Sequence, residues 1–481
     1  MNRASVLFAA SEMAPLVKTG GLADVAGSLT SALGGLGCDV RVVIPFYGDL
    51  GREVGATRSI ARIRLHHHDV EIFEASAPQG QRLWLVACPP LFGRRGNPYI
   101  GDNGLDWPDN AERFALFSRA VAWLATHPTG THFRPDVVHL NDWQTGLAAP
   151  LLQPESNRPS IVFTIHNLAY QGVYDRATFD ALGLPPDLWS IDGLEFHGSI
   201  AFIKGGIAFA DRITTVSPSY AAEIQTPEYG QGLDGLIRHR VSALRGIING
   251  IDTSVWNPTT DPLLRARYTA TNLERKLVNK RAVQAQLGLD PADVPLLGIV
   301  SRLVHQKGID LVVSLIDSLV SLPTQLAVLG TGDAELERSL RNAAAHYPGR
   351  IAYHSGHDEA MAHLIEAGAD LFLMPSRFEP CGLNQMYSQA YGTVPVVRRT
   401  GGLIDTVLPV SGRSGTGFTF GPATPEALLE AIRNAVAVSR NRHTWRAIQR
   451  NGMATDFSWR NSALQYVDLY DELRASAAQS K

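Results

Sequence analysis

The chain has 481 residues, 45% of them hydrophobic and 19% charged, an ordinary globular composition with length for about two or three separate cores. With 43 Lys+Arg against 46 Asp+Glu the formal net charge is -3, so no global basic field exists to hold nucleic acid or an anionic membrane, and any anion must be bound locally. The three cysteines, Cys38, Cys88 and Cys381, form no C-x-x-C pair, which argues against a disulfide framework or thiolate zinc site and fits a reducing cytoplasm.

The first residues, M-N-R-A-S-V-L-F-A-A-S-E, carry one Arg and an apolar stretch that Glu12 cuts short, too brief for a secretory signal, so Val6 to Ala10 reads as a first strand. Nowhere do ~18 consecutive apolar residues occur, which removes a membrane-spanning helix. Short Val- and Ile-rich runs then recur, each followed by a Gly-rich or polar loop and a stretch of helical spacing, the βα grammar of parallel sheets. In the first half the runs are S-V-L-F-A-A, V-R-V-V-I-P, R-L-W-L-V-A, V-V-H-L, S-I-V-F-T-I and R-I-T-T-V, giving one sheet of six strands. Between them Asp109 to Thr126 reads as a helix, with Asp109 and Glu112 as a capping box and Phe114, Phe117, Val121 and Leu124 on one face. In the second half L-L-G-I-V-S, Q-L-A-V-L-G, I-A-Y-H, L-F-L-M-P, V-P-V-V and G-F-T-F make a second sheet. The switch falls at Gly246 to Asp252, before the turn-prone Trp256-Asn257-Pro258. The expected organisation is residues 1-245, residues 246-456 and a terminal segment 457-481.

Ligands of open parallel sheets sit beyond the carboxyl ends of the strands, where loops and helix N-termini present backbone N–H groups. K-T-G-G-L-A-D-V, Lys18 to Val25, sets a cation and two glycines before a helix; it reads as a plain turn or as a close approach to a diphosphate. Asp142 follows V-V-H-L and His166 follows S-I-V-F-T-I, as a capping Asp and a satisfied histidine or as partners of sugar hydroxyls. S-R-L-V-H-Q-K-G holds Arg302 and Lys307 past a strand, a solvated basic loop or a clamp that stabilises a departing diphosphate without a metal. P-S-R-F-E-P-C-G-L-N-Q puts Glu379 before a helix expected near Gly382, and R-R-T-G-G-L-I-D-T-V repeats the paired-glycine device at Thr400, Gly401 and Gly402. Two other patterns are set aside. Gly230 to Gly235 matches G-x-G-x-x-G but follows T-P-E-Y rather than a strand. His66-His67-His68 has only Asp69 at ligand spacing and reads as strand or exposed turn rather than a metal site.

Taken together, K-T-G-G-L-A-D-V, H-L-N-D-W-Q-T-G, F-T-I-H-N-L-A-Y-Q-G, T-V-S-P-S-Y-A, G-I-I-N-G-I-D, S-R-L-V-H-Q-K-G, P-S-R-F-E-P-C-G-L-N-Q and R-R-T-G-G-L-I-D-T-V resemble the motifs of the glycogen and starch synthases, in order and over nearly the whole chain. The resemblance implies the α/β GT-B fold: two Rossmann-like parallel-sheet domains facing a deep interdomain cleft, with Phe457 to Ala475 as a helix crossing back to the first domain. It implies a hexosyltransferase that moves glucose from ADP-glucose to the non-reducing end of an α-1,4-glucan with retention, releasing ADP, with no metal and no other cofactor. Carried over by motif, Lys18, Gly20 and Gly21 would contact the donor diphosphate, and Arg302 with Lys307 would neutralise the leaving ADP. Asp142 and His166 would position the glucose, and Glu379 would bind the donor sugar near the reacting carbon. Asp24, Asn249, Gly382, Leu383, Thr400, Gly401 and Gly402 would line the substrate pocket. The two domains would close on the donor. No covalent nucleophile is implied.

Two departures stand out. Sucrose- and trehalose-making relatives carry a second Glu eight residues beyond the position of Glu379, where this chain has Tyr387, as the glucan synthases do. In G-H-D-E-A the family often has an aromatic residue that stacks on adenine, where this chain has His357. The rival readings are a UDP-glucose-using or small-product GT-B glucosyltransferase and a catalytically inactive glucan-binding relative.

Overall fold

The computed structural model describes residues 3–48, 50, 53–101, 104–127, 129 and 131–479. It divides into two units, one of Met1–Gly250 with Trp459–Lys481 and one of Ile251–Ser458.

The first unit holds β1 (Ser5–Ala9), β2 (Asp39–Pro45), β3 (Arg58–Leu65), β4 (His68–Ser76), β5 (Arg82–Ala87), β6 (Val137–Asn141), β7 (Ser160–Ile165), β8 (Val173–Tyr174), β9 (Glu195–Phe196), β10 (Ser199–Ala201), β11 (Arg212–Thr215) and β12 (Leu244–Gly246). Its main sheet runs β12-β11-β7-β6-β1-β2-β5-β4-β3, parallel from β12 to β5, while β8, β10 and β9 form a small antiparallel sheet. All five residues of β6 are buried, as are the last five of β2 and of β7. Parallel strands covered on both faces need such unbroken apolar runs.

The sheet is larger than the six expected strands. The additions β3 and β4 form an antiparallel hairpin at its edge, and β3 alternates exposed and half-buried residues. An edge strand with one wet face carries Arg and Ser between its apolar residues, so it lacks the dense run that marks the interior strands. The His66–His67 pair is the hairpin turn, with His66 at φ 52°. The helix Asn110–Thr126 forms with Asp109 at its N-cap, but not through a capping box. Asp109 instead accepts two hydrogen bonds from Arg94, at 2.9 and 2.5 Å, and Glu112 pairs with His68 at 2.7 Å. Tertiary partners have outcompeted the local cap.

The second unit holds β13 (Leu296–Val300), β14 (Gln325–Gly330), β15 (Ile351–Ser355), β16 (Leu371–Met374), β17 (Val394–Arg398) and β18 (Phe418–Phe420), in the all-parallel order β15-β14-β13-β16-β17-β18. Two apolar clusters, one around Leu297, Val328, Leu373, Val396 and Ile432, the other around Ala327, Ile365, Phe372 and Val397, cover its two faces.

The units change over at Ile251, within the Gly246 to Asp252 stretch and past residue 246, because Leu244–Gly246 pairs with β11 as the edge strand of the first sheet. The last helix, Trp459–Gln479, starts two residues later than Phe457 and belongs to the first unit. It buries Trp459, Tyr466, Val467, Leu469 and Tyr470, each contributing about 1.5–3 kcal/mol by removal from water. Tyr470 hydroxyl lies 2.7 Å from Nδ1 of the fully buried His139 on β6, and Ser462 Oγ donates to Ile248 O at 2.6 Å. Among the described residues no helix is long and apolar enough to cross a membrane.

Candidate active site

Each unit carries its polar residues at the carboxyl ends of its strands. In the first, the chain leaves β1 through Ser11 and Glu12, and the next helix, Gly21–Gly35, has Gly20 at its N-cap. Glu12 is buried, and its Oε2 accepts from the backbone N–H and the hydroxyl of Thr19 at 2.7 and 2.5 Å. That pair holds the loop in which Lys18 lies 2.9 Å from Asp24 Oδ1. Burial pushes the Glu12 carboxyl up to about 7 against the pull of those hydrogen bonds. Glu12 escapes a motif-led reading; its one sequence signal is an acidic residue placed directly after an apolar strand.

At the end of β6, Asp142 sits at φ 56°, ψ -178°, a region nearly reserved for glycine and costing about 1–3 kcal/mol elsewhere. Neighbouring strands hold it there. Its N–H donates to Thr164 O at 3.0 Å, and its Oδ1 accepts the N–H of His166 at 2.7 Å. Burial raises the Asp142 carboxyl to about 7. His166 Nε2 lies 2.9 Å from Asn141 Oδ1, and since Asn141 Nδ2 donates to Ala9 O at 2.9 Å, the imidazole is the donor. Burial holds His166 down to about 3, so the ring is neutral with its proton on Nε2 and an acceptor lone pair on Nδ1. Asp142 and His166 thus act as one unit across β6 and β7. Asn249 is buried, with its side-chain oxygen unsatisfied by the protein.

In the second unit the loops after β13 and β16 are locked together. Lys307 Nζ donates to Glu379 Oε2 at 2.6 Å, and Ser376 Oγ donates to the same oxygen at 2.9 Å. Arg377 grips Asp310 through two bonds of 2.7 and 2.6 Å, and its N–H donates to Gln306 O at 2.8 Å. Gly308, at φ 65°, makes this approach possible, since a Cβ there would stand 2.1 Å from Pro375 O. Arg302 is exposed just past β13. The Thr400–Gly402 turn seats on the same assembly: Gly402 N–H lies 3.1 Å from Glu379 O, and a Cβ on Gly402 would meet Cys381 O at 2.3 Å. Gly382 takes φ 73°, and the following helix begins at Asn384, with Leu383 at its N-cap, two residues later than expected.

The second unit therefore unites Lys307, Glu379, Gly382 and Thr400–Gly402. His357 stands apart on the loop after β15, its side chain 83% exposed and its Nε2 3.7 Å from Glu359. The pairing of Lys307 with Glu379, 72 residues apart, has no local sequence signal; neither has the part played by Ser376. Gly230 to Gly235 follows the helix Pro218–Glu223 and runs into the helix Asp234–His239, so it opens no strand–helix turn. His66 packs on His67 with ring centroids 3.7 Å apart, and no group of three or more candidate metal ligands occurs among the described residues.

Two Rossmann-like units, the first on a largely parallel and the second on an all-parallel sheet, carry charged groups at their strand ends, and with the matches that follow they place the fold among the GT-B glycosyltransferases. Residues 5–239 match the starch synthase catalytic domain model, and residues 283–451 match glycosyl transferases group 1. The chain is 54% identical over 477 residues to glycogen synthase 1 of Methylococcus capsulatus, covering 98% of this chain and 97% of that one. It is 51% identical over 480 residues to the glycogen synthase of Thioalkalivibrio sulfidiphilus, covering 97% and 99%. Its fold matches the catalytic domain of starch synthase IV from Arabidopsis thaliana, bound to ADP and acarbose, with TM-score 0.89, 33% identity and coverage of 98% and 100%. The chain belongs to the glycogen and starch synthase family, glucosyltransferases that lengthen an α-1,4-glucan.

Proposed function

We propose that the protein transfers glucose from ADP-glucose to the non-reducing end of an α-1,4-glucan in the cytoplasm, with retention and without a metal. The observation that carries this reading is the Lys307–Glu379 pair, set at 2.6 Å by converging strand-end loops, with Arg302 on the same β13 loop. The starch synthase IV domain of the same fold was captured with ADP and acarbose, a nucleoside diphosphate and an oligosaccharide.

In this reading the C1–O bond of the donor breaks as the diphosphate departs, and Arg302 and Lys307 stabilise the charge that develops on it. The acceptor hydroxyl forms the new C1–O bond on the face the diphosphate leaves, and its proton passes to a diphosphate oxygen. Glu379 bears on the donor sugar beside the reacting carbon and holds Lys307 in place. Asp142 and His166 orient sugar hydroxyls, His166 through its neutral ring. Lys18, with Gly20 and Gly21, contacts the diphosphate; Asp24, Asn249, Gly382, Leu383 and Thr400 to Gly402 complete the substrate contacts, and His357 meets the nucleobase.

Comparing kcat/KM for ADP-glucose and UDP-glucose with glycogen as acceptor tests the donor assignment. A clear ADP preference is expected; preference for UDP-glucose would replace it with the UDP-using alternative.

A further inference from the structure

Three consecutive strand-end loops of the second unit are tied in series. The loop after β13 meets the loop after β14 through Leu303 N–H to Thr331 O at 2.9 Å and Asp333 N–H to Leu303 O at 2.7 Å. The third, after β15, carries His357 and is joined to the second through the end of the β14–β15 ladder and, past it, through one carboxylate. Glu337, on the helix Ala334–His346, accepts from Thr331 Oγ at 2.6 Å and Gly332 N–H at 3.0 Å with one oxygen, and from Ser355 Oγ at 3.3 Å with the other. Arg341, one turn along, pairs with that second oxygen. The Glu337 side chain is 12% exposed. Its hydrogen bonds, that of Thr331 first, hold the carboxyl down to about 2, so it stays ionised at any working pH. At the strand ends Gly330 O accepts from Gly356 N–H at 3.3 Å and from the Tyr353 hydroxyl at 3.0 Å, so Glu337 adds the one link between Thr331–Gly332 and Ser355.

We propose that Glu337 is a positioning residue for the nucleoside half of the donor, clamping the β14 loop to the β15 loop so that His357 is presented to the base. The inference rests on the nucleotide-sugar reading above and adds to it a residue that touches no substrate. A carboxylate fits the task because it accepts several hydrogen bonds at once and binds each more strongly than a neutral group would. The two glycines of G-T-G-D leave that loop little stiffness of its own.

The test is inhibition of glucosyl transfer by ADP and, separately, by inorganic pyrophosphate, in the wild type, Glu337→Ala, Glu337→Gln and His357→Ala. Glu337→Ala is expected to weaken ADP inhibition and raise the KM for ADP-glucose by about tenfold, the order expected when a charged hydrogen-bonding hub is lost, while pyrophosphate inhibition and kcat change little. Glu337→Gln keeps an acceptor oxygen for Gly332 and Thr331 but loses both the acceptor for Ser355 and the ion pair with Arg341, so it should fall between the wild type and Glu337→Ala. Unchanged ADP inhibition in Glu337→Ala, or equal weakening of ADP and pyrophosphate, would overturn the clamp. If His357→Ala alone loses ADP, the base loop stands and the clamp fails. If Glu337→Ala alone loses ADP, His357 is not what the clamp presents, and the proposal fails as well.

Discussion

The ammonium of Lys307 lies 2.6 Å from Oε2 of Glu379, joining the loop after β13 to the loop after β16. The Glu379 side chain is 7% exposed and that of Lys307 20%, so water screens the pair little and each partner fixes the other. Glu379→Ala and Lys307→Ala should each lower kcat by about a hundredfold to a thousandfold, the range for removing one preorganised electrostatic group. The double variant should lose little more than either alone, because the two act as a unit. Steady-state kinetics of the three variants gives the coupling; fully multiplicative losses would mean independent roles.

Burial lifts the carboxyls of Glu12 and Asp142 to about 7 from ordinary values of 4.5 and 3.8. Between those limits the folded protein binds more protons than the unfolded chain, so this contribution to stability is complete at acid pH and is lost as pH rises through about 7. Glu12→Gln keeps an acceptor for Thr19 and removes the titration. Thermal melts should therefore show the variant gaining on the wild type as pH rises from about 5 to 8. A difference independent of pH would contradict the assignment.

His139 is fully buried on β6 and held down to about 3, with Tyr470 and Thr164 on its two nitrogens at 2.7 and 2.6 Å. Tyr470→Phe leaves one nitrogen unsatisfied and should cost about 1–3 kcal/mol in urea unfolding. Because the folded pKa lies below the ordinary 6.5, the stability contributed by the neutral ring is present above that value and is lost on acidification toward 3. Unfolding midpoints of the wild type and His139→Gln, followed from neutral pH to about 4, should converge.

Gly308 holds a left-handed φ of 65° and leaves 2.1 Å between its absent Cβ and Pro375 O. Gly308→Ala should destabilise the second unit by about 1–3 kcal/mol and reduce transfer more than stability alone would, because Lys307 precedes it. Denaturant unfolding beside kcat/KM separates the two effects.

The interior strands were legible because a parallel strand buried on both faces must be an unbroken apolar run, and V-V-H-L or Q-L-A-V-L-G admits little else. The β3–β4 hairpin was not, since R-S-I-A-R-I-R-L spreads its apolar residues over one half-wet face. At the site, single loops were legible as loops: Lys307 and Glu379 each follow a strand and precede a helix or turn. What was hidden were the partnerships between loops, such as Lys307 with Glu379 and Asp142 with His166, because sheet order and register set them. Asp109 shows the converse, a plausible local cap given up to Arg94 from another loop.

Proton NMR of the product formed from ADP-glucose and a short α-1,4-glucan, with a strong chelator present, tests the central claim most directly. The account predicts a new α-1,4 linkage, formed at the rate seen without chelator and lost in Glu379→Ala. A β-linked product, or a rate abolished by the chelator and restored by a divalent cation, would contradict it.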